Sequence, residues 1–348
     1  MRSSVRSWIR ETALELPDPG DGTGWDTALR SWLPKLAEVR VVGVGEATHG
    51  TREFFQLKHQ LFRYLVKHAG FRVFAIEACA SEAPAVDAYV RGTSRENGLA
   101  QLGFWTWQTE EVLALLNWMR EYNDGLPYDE QLQFVGVDPQ MPNLSIEAAE
   151  SLLETTTGPE AELIRQHLEV LKAPEAVRTA EQAAKSTYAV RDRLMADAVE
   201  KLSQDAKVFF WGHNGHIAAK PYLPGAPSTG QVLHERLGAS YYAVGLLFGR
   251  GSLRAFRGMP TKKAEPAVIR TGRPVPWSAE AALGRVLPAG CHLLDLRDAP
   301  DWFTEDRWTR SFGAVATGRP VFNFGFTSLS TAYDAIAYLP ESTPSRPL

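Results

Sequence analysis

Two short stretches carry the residues that could do chemistry. "GVGEATHG" (residues 43–50) places Glu46 and His49 three positions apart in a glycine-bounded turn, and "GHNGH" (212–216) does the same with His213 and His216. A carboxylate beside an imidazole can polarise it, and a polarised imidazole can take a proton from water. Glu77 in "VFAIEA" and Asp138 in "FVGVDP" extend the pattern. Each of the four groups Glu46, Glu77, Asp138 and His213 follows a short apolar run. In open α/β sheets ligands bind outside the carboxyl ends of the strands, so parallel strands would bring all four to one crevice. The bland alternative is that each acid only caps the helix after it. Four such groups with two further loop-borne histidines favour the shared crevice.

The elements that must position them are legible as near-continuous apolar runs: 39–45, 71–76, 133–137, 207–212, 241–248, 291–296 and 335–339. Continuous rather than alternating runs are the mark of strands buried on both faces. Helical patterns separate most of them. The fold expected is α/β: a mostly parallel sheet flanked by helices in three layers. Residues 145–204 hold no strand-like run and read as a helical insertion lobe over the carboxyl edge of the strands. They divide the core into a first part (1–144) and a second (205–341), before a flexible tail at 342–348.

The helix expected over 52–68, with Thr51 as its N-cap, has one oddity. Phe54, Phe55, Leu57, Leu61, Phe62, Leu65 and Val66 fill one arc at 100° per residue, and Lys58 falls inside it. A lysine there must snorkel out or find a carboxylate partner. His68, His167, His234 and His292 lie in helical or strand patterns and suit structural roles.

Composition excludes several classes. The chain of 348 residues has a net charge of −4 and a pI near 6.1, with no run of five basic residues, so nucleic acid and acidic membrane surfaces are not expected partners. Two cysteines, no apolar leader and no stretch of 18 apolar residues point to a cytoplasmic protein without a membrane span. The serine elbow, the phosphate loop and the H-E-x-x-H helix are all missing. Histidine and carboxylate are zinc ligands in other proteins, but no recognised zinc spacing occurs, and neither a metal nor another cofactor is expected.

The segments "VVGVGEATHGTREFFQLKHQLFRYLV", "GFRVFAIEA", "WTWQTEEVLALLNWMREYN", "FVGVDPQ", "RDRLMADAV" and "VFFWGHNGHI" occur in this order. With "STGQVLHERLG" and "AYDAIAYLP" they resemble the erythromycin esterase family from about residue 39 to 341. The resemblance implies a hydrolase that opens the lactone ester of a macrolide without a serine nucleophile or a metal. It places the essential histidine on His49, with Glu46 and Glu77 as its acids and His213 and His216 as the paired histidines. The basic residue of the first helix, often arginine in the family, is Lys58. Lys58, Asp138, Trp105 and Arg191 are the expected substrate contacts. The segment between "FVGVDPQ" and "RDRLMADAV" is shorter than in macrolide-inactivating members, which leaves the substrate open between a macrolide and another small ester. A non-hydrolytic cyclisation, elimination or acyl transfer in a biosynthetic pathway is the second reading. A metal- or porphyrin-binding protein is the third.

Overall fold

A computed structural model describes residues 1–139, 180–221, 225–258, 264–317 and 323–348, with isolated positions between 150 and 168. Its strands are β1 (Leu14–Leu16), β2 (Val41–Val44), β3 (Phe71–Cys79), β4 (Gln133–Asp138), β5 (Lys207–Trp211) and β6 (Tyr241–Arg257). They continue with β7 (Ala267–Thr271), β8 (Cys291–Asp295), β9 (Arg307–Arg310), β10 (Val315–Ala316), β11 (Phe324–Thr327) and β12 (Ala335–Ser342). All seven apolar runs are strands. The main sheet runs β1-β8-β12-β6-β2-β5-β3-β4, with β7 and β10 added beside β6. From β12 to β4 every neighbouring pair is parallel; β8, β1 and β7 are antiparallel additions.

Strand alternation explains the three layers. In β3, Phe74 and Ile76 face one apolar layer while Val73 and Ala75 face the other; in β5, Phe209 and Trp211 oppose Val208 and Phe210 in the same way. The first layer is closed by helices Arg52–Ala69, Ala83–Val90 and Glu110–Asn123. The second is closed by Ser3–Thr12, Ala180–Asp205, Thr229–Leu237 and Ala279–Leu283.

Three details differ from expectation. β6 runs on past Phe248 to Arg257, because beyond the continuously buried run its residues alternate, with Leu253 and Ala255 still in the core, while the strand pairs with β7. Thr51 stands at the N-cap of Arg52–Ala69 but makes no capping bond; its hydroxyl is taken by Thr48 Oγ1 at 2.9 Å. The tail does not run free. Thr343 N donates to Glu53 Oε2 at 2.8 Å, Ser345 N to the Gly50 carbonyl at 3.0 Å, and Leu348 N to the Gln108 carbonyl at 3.2 Å. A polar, proline-rich stretch reads as frayed when its partners, such as Glu53, 290 residues away from Thr343, are remote in sequence. Of the helical lobe expected at 145–204, the final helix, Ala180–Asp205, is described at length; apart from the isolated positions, the rest lies outside the described residues.

Candidate active site

The glycines of the opening turn are set by close approach. A Cβ on Gly45 would lie 2.1 Å from Asn214 Oδ1, and one on Gly50 would lie 2.0 Å from the Arg254 carbonyl oxygen. The turn is also sewn to the segment after β9: Phe312 N donates to the Ala47 carbonyl at 2.7 Å and His49 N to the Gly313 carbonyl at 3.2 Å. Held so, Glu46 is fully buried at the end of β2. Its Oε1 meets His49 Nδ1 at 2.6 Å. Its Oε2 accepts from Trp211 Nε1 at 3.0 Å and pairs with Lys58 Nζ.

Lys58 thus has the carboxylate partner its place on the apolar arc demanded. It is fully buried, and its Nζ lies 4.0 Å from the Trp211 ring centroid. Burial pulls the ammonium down, Glu46 partly restores it, and the balance stands at about 8.

A second cluster lies beside the first. β3 changes register against β4 between Ile76 and Cys79, an irregularity of the kind that re-aims side chains next to sites, and Glu77 sits there. Glu77 Oε1 accepts from Arg191 Nη2 at 2.7 Å and lies 3.3 Å from His216 Nε2. Its Oε2 accepts from the His213 backbone N–H at 2.7 Å. Burial raises this carboxyl, but His216 first and Arg191 next outweigh it and hold it well below the ordinary carboxylate range. Arg191 is also forked onto Asp138, with both contacts at 2.7 Å. Burial holds the Asp138 carboxyl above its usual value against the pull of Arg191.

His213 caps the short helix Asn214–Ile217, its Nδ1 accepting from Gly215 N at 3.2 Å. Burial, then the neighbouring His49, hold its imidazole well below the usual range. A neutral ring whose Nδ1 accepts carries its proton on Nε2. The His49 and His213 ring centroids are 5.2 Å apart, so the two clusters meet at this histidine pair.

The cleft these residues line has a volume of about 280 Å³. His49, Glu77, Arg191, His213 and His216 are its polar lining; Phe104, Trp107, Phe312 and Val315 add apolar surface. Glu46, Lys58 and Asp138 stand behind the wall, where they hold His49 and Arg191 in place. Trp105 is not among the lining residues. Its ring packs 5.9 Å from Phe256 and 5.2 Å from the Arg254 guanidinium, and its neighbours in sequence face the cleft instead. In a loop without periodicity nothing in the sequence says which residue of "FWTW" turns inward. Sequence reasoning also missed Asp192, whose Oδ1 lies 2.8 Å from His216 Nδ1, and Trp211, whose place at the end of a strand was the available signal. Among the described residues no three of His, Cys, Asp and Glu are arranged to hold a metal ion.

The class is now defined: a hydrolase built on a mostly parallel α/β sheet. The family model described as "Erythromycin esterase" matches residues 66–173 and 150–342, and the chain belongs to the erythromycin esterase family. Over 147 residues it is 27% identical to the erythromycin esterase type II of Escherichia coli, a match that covers 40% of this chain and 34% of that one. It is 22% identical to the putative hydrolase YbfO of Bacillus subtilis, over 97% of this chain and 91% of the relative. A Bacillus cereus crystal structure matches with a TM-score of 0.82 at 21% identity, covering 99% of this chain and 98% of that one. An erythromycin esterase mutant, EreC, in its open conformation matches with a TM-score of 0.69 at 17% identity over 95% and 98% of the two chains. At those identities the solved structures speak to fold alone. Among the described residues no helix is long and apolar enough to cross a membrane.

Proposed function

We propose that the protein hydrolyses an ester or lactone with water activated by His49. The observation that carries this reading is the 2.6 Å contact between His49 Nδ1 and the buried Glu46 carboxylate. A proton on Nδ1 leaves Nε2 bare on the cleft side, and the Glu46 charge stabilises the imidazolium that forms when Nε2 accepts a proton. Water then adds to the ester carbonyl carbon while its proton passes to His49 Nε2. The developing oxyanion is met by the His213 Nε2–H and the Arg191 guanidinium, both in the cleft wall. Collapse expels the alcohol, which takes its proton from His49, and leaves the carboxylic acid.

The apolar lining of the cleft supports a substrate with an apolar body beside its ester group, whether a macrolactone or a smaller ester. An ester and lactone panel followed by mass spectrometry tests the reading. The expected product is heavier than a lactone substrate by one water, or is the acid and alcohol pair from an open ester. A product of unchanged mass would replace hydrolysis with cyclisation or another rearrangement.

A further inference from the structure

We propose that Asp192 is a positioning residue of this site: it holds His216 through Nδ1 so that the imidazole stands as a cation beside Arg191 in the cleft wall. The proposal rests on the hydrolytic reading for its kinetic consequence, and on geometry for the rest. Asp192 is 2% exposed. Three donors converge on its Oδ1: His216 Nδ1 at 2.8 Å, Thr229 N at 2.8 Å and Thr229 Oγ1 at 2.9 Å. Thr229 opens the helix Thr229–Leu237, so one carboxylate oxygen ties that helix, the histidine and its own helix together.

His216 Nε2 faces opposite demands. Arg191 Nη1 at 3.1 Å suits a bare nitrogen, whereas Glu77 Oε1 at 3.3 Å suits an N–H. The charge on the far nitrogen decides between them. Burial disfavours the cation, but Asp192 first and then Glu77 raise the imidazole to about 10 against the opposing Arg191. The groups facing His216 are thus Asp192 and Arg191 from helix Ala180–Asp205, Glu77 from β3, Asp138 beyond Arg191 from β4, and His213 from its own segment. With Asp192 charged, His216 and Arg191 together present two positive groups to the ester oxygens.

Asp192→Asn keeps the size and an oxygen for Thr229 and removes the charge. In protein labelled at histidine, the His216 NMR titration is expected to fall from about 10 into the neutral range. Ester turnover should drop roughly ten- to hundredfold above pH 7 with KM little changed, a loss of the size seen when the carboxylate behind a metal-bound histidine is removed. The loss should shrink as pH falls and His216 regains its proton. Thr229→Val removes the hydroxyl that meets both the carboxylate and the backbone carbonyl of Asp192 but leaves the charge; it should lower the melting temperature and leave both the titration and the pH profile as in the wild type. An unmoved His216 titration in Asp192→Asn, or the same profile change in Thr229→Val, would overturn the proposal. Absence of ester turnover in the wild type would overturn the hydrolytic reading alone, because the titration is read without substrate.

Discussion

Glu46 separates a residue that acts from one that supports. His49 is the partly exposed partner, at 16% of its side chain, whereas Lys58 is sealed at 0%. His49→Ala is expected to lower kcat by about 10²–10⁴-fold, the worth of a general base, with a melting temperature close to the wild type. Lys58→Ala instead leaves a buried carboxylate without its cation, and should cost about 3–5 kcal/mol of stability, read as a fall in the urea midpoint. Equal loss of stability in both variants would contradict this division. His216 adds a pH dependence whose sign follows from its raised pKa. Its folded value of about 10 lies above the ordinary 6.5, so the stability it contributes is complete below pH 6.5 and is lost as pH rises through about 10. The stability gap between wild type and His216→Gln should therefore narrow between those values. A gap that is constant or widens would mean that His216 is neutral in the fold.

At the scale of elements, the turn at 43–50 is a junction between four parts of the chain that are remote in sequence. It touches Asn214, Arg254, the segment at 312–313 and the tail. Gly50→Ala would push a methyl into the Arg254 carbonyl, where backbone cannot give way cheaply; overpacking of this kind costs typically 1–3 kcal/mol, and calorimetry should show it together with reduced turnover. Truncation after Ser342 should lower both the melting temperature and kcat, because Arg52 N bonds the Thr343 carbonyl and Ser345 N bonds the Gly50 carbonyl at the end of the turn. A truncated protein with unaltered turnover would show that the turn holds its shape without the tail.

Across the whole molecule, the parallel run from β12 to β4 brings Glu46, Glu77, Asp138 and His213 to one edge, and two apolar layers pack against the sheet behind it. The acids there are already engaged: Glu46 by Lys58, Trp211 and His49, Glu77 by Arg191, and Asp138 by the same guanidinium. Activity on whichever ester the protein accepts is expected to survive exhaustive chelation. Loss of turnover restored by one divalent ion would reassign His213 and His216 as ligands.

The sequence by itself determined the seven apolar strands, their mostly parallel character, and the grouping of Glu46, His49, Glu77, His213 and His216. Burial on both faces writes a continuous apolar run, and a strand end writes a polar residue straight after it; both signals are local. Lys58 was legible for the same reason, as one charge inside a helical apolar arc. Only tertiary structure decided the rest. The short or half-exposed strands β1, β7, β9, β10 and β11 owe their existence to partners rather than to their own patterns. Asp192 reaches His216 across 24 positions, and no local period records such a contact. The tail is ordered by hydrogen bonds to distant backbone, which leave no mark on composition. Which residue of "FWTW" faces the cleft was settled by packing against Phe256 and Arg254. Periodicity reports what a residue's own element buries; it does not report what another element brings to meet it.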